Sequence, residues 1–287
     1  MKNTARWQRI EGVVDIAELR RKRVLVVGVG SGGSTVALEL AKAGVGNFTL
    51  IDPDRLELTN VVRHECDDRY LHRRKVDAVA ELIQGRNPEA EIKTVAKDVF
   101  ELGGRLEELI AESDLIAACT DVEPPKQLIN RLATSAGTPA VYAGVYARGT
   151  GGEVIRCGGG REDPCYACVV SVLKEAAPAP VDPAELHYGA VEADGSAPGV
   201  PGLGLDVRLI ALLHAKVCLL TLLSREQELQ GNVLLFGNTA VEELFPRPFA
   251  SVLVNVAAQE SCLICAPLRR GELPPAFDLA AAGASTH

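Results

Sequence analysis

The sequence predicts an α/β protein: a doubly wound, mostly parallel sheet of the Rossmann type, with a C-terminal strand region and a long crossover loop. Three observations carry this. Short β-branched runs alternate with helical-period segments from residue 23 to about 146, the pattern of a parallel sheet with right-handed crossovers. The first run opens into Gly28-Val29-Gly30-Ser31-Gly32-Gly33, a glycine loop of the kind that joins a strand to a phosphate-facing helix. The second run ends at Asp52, where such folds present a carboxylate to ribose hydroxyls.

In chain order, residues 23–28 (Arg-Val-Leu-Val-Val-Gly) read as a buried strand. Residues 34–44 keep helical spacing and stop at Gly44, a C-cap. Residues 47–52 form the second strand. Residues 74–86 form a helix that Asn87-Pro88 breaks, because the residue before proline avoids the helical region. Strand 91–96, helix 104–112, strand 114–119, helix 125–136 and strand 139–146 follow. After about 150 the pattern changes. Residues 174–204 are rich in Ala, Pro, Gly and acids and read as the crossover loop; a loop of that length is a functional or mobile element. Helix 205–223 and strands 232–237 and 250–256 come next, and 267–287 reads as a disordered tail. No repeat and no linker divides the chain, so one domain is expected over 1–266, its nucleotide-binding half at about 20–150.

Composition narrows the class. Of 287 residues 47% are apolar and 24% charged, with 30 Lys plus Arg against 38 Asp plus Glu. The apolar share excludes a wholly disordered chain. The net charge of −8 argues against a generic nucleic-acid or anionic membrane surface. Asp206, Arg208, His214 and Lys216 interrupt the most apolar stretch, which therefore reads as a buried helix and not a membrane span. The first residues lack an apolar run of signal-peptide length. A cytoplasmic protein with reduced thiols is expected, and the eight cysteines then need a reason other than disulfides.

Gly28, Gly30 and Gly33 are the candidate phosphate-loop glycines, since a bare backbone can approach a phosphate closely at a helix N-terminus. The loop alone does not choose between NAD, FAD and ATP. The residues after Asp52 do. Asp54, Asn60, Arg63 and Lys75 follow within one connection. A dinucleotide dehydrogenase has no use for that set, whereas an enzyme that attacks the α-phosphate of ATP needs fixed cations for the charge of the transition state. Asp121 closes the strand at 114–119; a carboxylate there faces the ligand crevice and suits Mg2+, or it caps the helix that follows.

Together these residues resemble the ubiquitin-activating-enzyme-like family, also called the ThiF/MoeB/HesA family. The match runs from about residue 6 to 266 and rests on Gly-Val-Gly-Ser-Gly-Gly at 28–33, Asp-x-Asp at 52–54, Asn60-x-x-Arg63, Lys75, Asn-Pro at 87–88, Thr-Asp at 120–121 and two CxxC pairs. The resemblance implies a homodimer that uses Mg-ATP to adenylate the C-terminal carboxylate of a small ubiquitin-like or sulfur-carrier protein ending in Gly-Gly. It implies that Asp52 binds the ribose, Gly30 lies against the nucleotide, Asn60, Arg63 and Lys75 contact phosphates, and Asp121 organises Mg2+. Arg6-Trp7-Gln8-Arg9 is similar to the family's opening arginine segment, which makes Arg9 the candidate for a contact in the partner's site. Three positions depart from the family pattern: His64, Val122 and Lys126 stand where Gln, Asn and Arg are usual. The alternatives are a non-catalytic scaffold half of an activating heterodimer, a nicotinamide-dependent oxidoreductase, and a family member acting on a peptide or a tRNA base.

Cys165-Tyr-Ala-Cys168 and Cys262-Leu-Ile-Cys265 supply four thiolates, a set suited to a tetrahedral structural Zn2+. They lie far apart, so a shared ion would pin the C-terminal segment to the body. Incidental cysteines or a redox pair are the competing readings. Residues 174–204 contain no cysteine, which leaves Cys66, in the loop after Arg63, as the remaining candidate for a covalent step.

Overall fold

Val24, Leu25, Val26 and Val27 are all buried, so the strand they form, β1 (Arg23–Val27), needs cover on both faces. The computed structural model describes residues 4–176, 201–241 and 244–272, and β1 lies inside its eight-stranded sheet. It pairs in parallel with β2 (Asn47–Ile51) on one side and with β4 (Leu115–Ala118) on the other. β3 (Glu91–Val95) extends the sheet beyond β2, and β5 (Ala140–Val145) extends it beyond β4, again in parallel. Three antiparallel strands complete it: β6 (Gly151–Cys157), β7 (Val233–Gly237) and β8 (Ser251–Val254). The order is β3-β2-β1-β4-β5-β6-β7-β8, a doubly wound half followed by an antiparallel C-terminal region.

The helices are α1 (Thr4–Trp7), α2 (Ile16–Leu19), α3 (Ser31–Ala43), α4 (Leu58–Val61), α5 (Lys75–Arg86), α6 (Gly104–Ala111), α7 (Glu123–Ala136), α8 (Tyr166–Ala176), α9 (Gly204–Leu222) and α10 (Cys265–Arg269). Successive strand residues point to opposite faces, and β1 divides its side chains accordingly. Val24 and Val26 share one buried cluster with Val36 and Leu40 of α3, Val79 and Ile83 of α5, and Ile210 of α9. Leu25 and Val27 belong to a second cluster with Leu109 and Ile110 of α6, Ile129 of α7 and Val169 of α8. Each such aliphatic side chain contributes about 1.5–3 kcal/mol on full burial. α3 stops where expected, at Gly44 with φ 106°. The Asn87 amide that ends α5 donates to Val45 O at 2.9 Å, which ties the helix end to the turn before β2. No described helix is long and apolar enough to cross a membrane.

Two of the longer elements, β6 and α8, were not legible, nor were the short helices α1, α2, α4 and α10. β6 begins Gly151-Gly152, a pair that weakens any strand signal. The glycines are required by packing: a Cβ at Gly151 would sit 2.5 Å from Phe236 O, and one at Gly152 would collide with Gly144 O. The turn into β6 passes through Arg148 and Gly149 at φ 59° and 71°. α8 follows Pro164 and Cys165, and its first turn coincides with a CxxC pair. The crossover expected at 174–204 is helical at its start, since α8 runs to Ala176, and its residues 177–200 lie outside the described residues. The tail expected from 267 begins within α10, and 273–287 lie outside the described residues.

The glycine loop is a packing device as well as an opening. Gly28 has φ 84°, and a Cβ there would approach Cys119 O at 2.8 Å. A Cβ at Gly33 would collide with the Gly28 carbonyl. Gly33→Ala therefore forces α3 away from the β1–β4 edge, with an expected cost of about 1–3 kcal/mol, the scale of overpacking. Denaturant melts check this; wild-type stability in the variant would contradict it.

Candidate active site

The strand order reverses between β1 and β4, and the carboxyl ends of parallel strands open a crevice there. In this chain the crevice is a cleft of about 340 Å3. Gly28, Gly30, Asp52, Asp54, Asn60, Arg63, Lys75 and Asp121 all line it. Gly33 does not; it packs α3 on the loop. Arg9 is exposed in the turn after α1 and is not among the cleft-lining residues of its own chain.

Each side chain is held by its local fold. Asp52 Oδ2 accepts from Val29 N at 2.8 Å, and Oδ1 accepts from Asp54 N at 2.9 Å. The same carboxylate thus braces the glycine loop and the turn after β2. Burial raises its pKa, against the pull of Lys75. Lys75 opens α5 and is nearly buried. Its Nζ meets Asp54 Oδ2 at 2.6 Å. Asn60 Oδ1 accepts from Glu57 N at 3.1 Å, closing a capping box on α4. Burial lowers the Arg63 pKa while the charge of Asp121, which lines the same cleft, raises it. α7 is capped by Val122 with no side-chain cap bond, which leaves the exposed Asp121 carboxylate facing the cleft and not bound to the helix end.

His64, the departure next to Arg63, has a defined job. Its Nε2 donates to Val29 O at 2.8 Å, and its Nδ1 accepts from Cys66 N at 3.0 Å, an assignment of tautomer that follows from the two partners. Burial holds it below the ordinary histidine pKa. The neutral ring therefore clamps the glycine loop to the Arg63 turn. Cys66 beneath it is 1% exposed, and burial pushes its thiol up to about 12. That environment is the opposite of an activated nucleophile.

The sequence reading passed over several lining residues. Lys97 and Asp98 follow β3, and Ala143, Gly144 and Val145 end β5; the rule that ligands meet strand carboxyl ends would have found both groups. Val207, Ile210 and His214 of α9 form an apolar wall. His214 Nε2 donates to Val141 O at 3.0 Å, and Cys119 Sγ lies 3.8 Å from Nδ1. Burial lowers His214 to about 4. The unfolded imidazole, near 6.5, binds a proton that the folded one refuses. Its contribution to stability is therefore complete above about pH 6.5 and falls as pH drops toward 4, by roughly 3 kcal/mol over that window. Melting curves of wild type and His214→Gln across this range check it: the variant loses that slope, and parallel curves would refute the assignment.

On the other side of the sheet the two CxxC pairs converge. All four sulfurs lie within 4.8 Å of one another. Cys165–Cys168, Cys165–Cys262 and Cys168–Cys265 are 3.9, 3.6 and 3.4 Å apart. Four sulfurs about 2.3 Å from one tetrahedral ion stand roughly 3.8 Å from each other, so the set fits such an ion. Donors surround it: Gln259 N to Cys168 at 3.3 Å and Arg269 Nη1 to Cys265 at 3.1 Å. Such outer contacts balance thiolate charge and orient ligands.

Comparison with known proteins identifies the family of the chain. The ThiF family matches residues 1–258, and the chain belongs to that family. It is 27% identical over 221 residues to the SAMP-activating enzyme E1 of Haloferax volcanii, covering 76% of this chain and 73% of that one. It is 33% identical over 158 residues to the molybdopterin-synthase adenylyltransferase of Escherichia coli K12, covering 55% of this chain and 62% of the relative. The solved structure of E. coli MccB with AMPCPP and MccA superposes with a TM-score of 0.68 at 18% identity, over 92% of this chain and 75% of that one, which is a likeness of fold.

Proposed function

We propose that this chain is an adenylyltransferase: it uses ATP to activate the C-terminal carboxylate of a small ubiquitin-like or sulfur-carrier protein. The observation that carries the reading is the convergence of Gly30, Asp52, Arg63, Lys75 and Asp121 on one cleft at the strand-order reversal, in a chain whose family relatives are named for this activation. A carboxylate oxygen attacks the α-phosphorus, and the bond to the β-phosphate oxygen breaks. An acyl-adenylate and pyrophosphate result. Arg63 and Lys75 stabilise negative charge that builds on the phosphates. Asp52 accepts from the ribose. Asp121, with its free carboxylate, is the ligand offered to Mg2+, which supplies charge neutralisation on the polyphosphate when bound. The four-cysteine centre is read as structural Zn2+, because its ligand set is closed and leaves no position for substrate. ATP–pyrophosphate exchange with ubiquitin-like proteins ending in Gly-Gly tests the reading; NAD binding without pyrophosphate release would replace it with an oxidoreductase.

A dimer belongs to the same proposal. Arg9 sits away from its own cleft, where a residue serving a partner's site belongs. Mixing Arg9→Ala with Asp121→Ala chains restores part of the exchange activity, because one site of each heterodimer is intact. Mixed dimers that form and stay inactive would show that Arg9 does not act across the dimer.

A further inference from the structure

The cleft holds another cation that the phosphate contacts leave unused. Lys126, in α7, has a side chain only 2% exposed, yet it lines the cleft. A buried ammonium is costly without an anion. The carboxylate oxygen paired with it, Glu123 Oε1, lies at 3.8 Å, the outer edge of an ion pair. That oxygen is also bound by the Tyr166 hydroxyl at 2.8 Å, and Gln127 donates to the other at 3.4 Å. Glu153 of β6 is a second carboxylate near enough for the Lys126 charge to act on it. Burial raises the Glu153 pKa, toward the neutral acid, with Lys126 and the Tyr146 hydroxyl acting against it. Neither carboxylate closes on the lysine, so its charge is available to a ligand.

The surroundings suit an incoming chain end. The same cleft is lined by Ala143, Gly144 and Val145 at the carboxyl end of β5, all aliphatic and the first two small. Gly144 pairs with Glu153 in the ladder, and a Cβ there would strike the Glu153 carboxyl. Lys75 stands with Asp54 just past β2, whereas Lys126 follows β4. The two lysines thus serve opposite ends of one cleft.

We propose that Lys126 receives the carboxylate of the substrate: a buried ammonium that binds the anionic C-terminus of an extended chain at the β4–β5 end of the cleft. This rests on the adenylation reading above and adds where the attacking carboxylate is held. A purely structural lysine, neutralising Glu123 and Glu153, would show no sensitivity to the ligand's terminus.

The experiment titrates the full chain, without nucleotide, with a hexapeptide ending in Gly-Gly, as the free acid and as the C-terminal amide. A charge-assisted contact of this kind corresponds to about a 10-fold or greater preference for the acid. Wild type is expected to show that preference, Lys126→Met to lose it to within about 2-fold, and Lys126→Arg to keep most of it. If Lys126→Met does not fold, protection of wild-type Lys126 from amine acylation, by the acid peptide and not by the amide, gives the same answer. Equal binding of acid and amide by wild type overturns the proposal. So does a Lys126→Met chain that keeps the preference or weakens ATP binding instead. An acid preference that depends on Lys126, in a protein that exchanges no pyrophosphate with any carrier, rejects the adenylation reading and leaves the carboxylate site standing.

Discussion

Arg63→Ala and Lys75→Ala are each expected to lower ATP–pyrophosphate exchange at least about 100-fold while the fold stays intact. The size follows from preorganisation: a charge already fixed where negative charge builds in the transition state contributes about 2.7–4 kcal/mol. Both cations meet that condition. Lys75 is nearly desolvated and held by Asp54 at 2.6 Å, so little reorganisation remains when a polyphosphate arrives. Arg63 is drawn into the cleft far enough for burial to lower its pKa, with Asp121 opposing. Stability should fall only modestly on losing Lys75: Asp54 has a side chain 60% exposed and returns to water at small cost, while the buried Asp52 loses a charge that favours its ionised form. The measurement pairs exchange rates with thermal melts. Wild-type exchange in folded variants would remove these residues from the chemistry.

The parts of this site that could be read from sequence are those whose chemistry is local. The glycine loop and Asp52 announce themselves because a strand-to-helix turn and a strand end must each carry a particular residue type there; Lys75 came with the family pattern. β1 and β4 were legible for a related reason: strands covered on both faces are nearly continuous apolar runs, as Val24–Val27 and Leu115–Ala118 are. β6 was hidden because its first two residues are glycines demanded by neighbours far along the chain, Phe236 and Gly144. His64 and Lys126 read only as departures from a pattern. Their positions make sense once His64 is seen to hold Val29, and once Lys126 is seen buried beneath Glu123 and Glu153. Such roles depend on contacts between elements that no local pattern encodes.

Removal of the metal from the four-cysteine centre is expected to be the most destabilising single change. One zinc per chain is expected by elemental analysis of protein purified without chelator, and Cys165→Ser or Cys262→Ser is expected to melt about 5–8 °C lower. A structural zinc contributes folding free energy directly, and a loss of roughly 3–5 kcal/mol gives a shift of that size in a chain this long. The centre's neighbours explain why damage would not stay local. Asn130 of α7 donates to Cys165 Sγ at 3.7 Å and accepts from Tyr166 N at 2.8 Å. Tyr166 in turn holds Glu123 at the start of α7, the helix that carries Lys126 to the cleft. An ion bound there would close α8 and α10 against the helix that shapes one wall of the cleft. Exchange activity in the serine variants should fall at temperatures where the fold is still largely native, because the start of α7 loses its anchor before the sheet melts. Metal-free protein with wild-type melting and activity would show that the four thiols pack as hydrophobes and that the cleft does not depend on them.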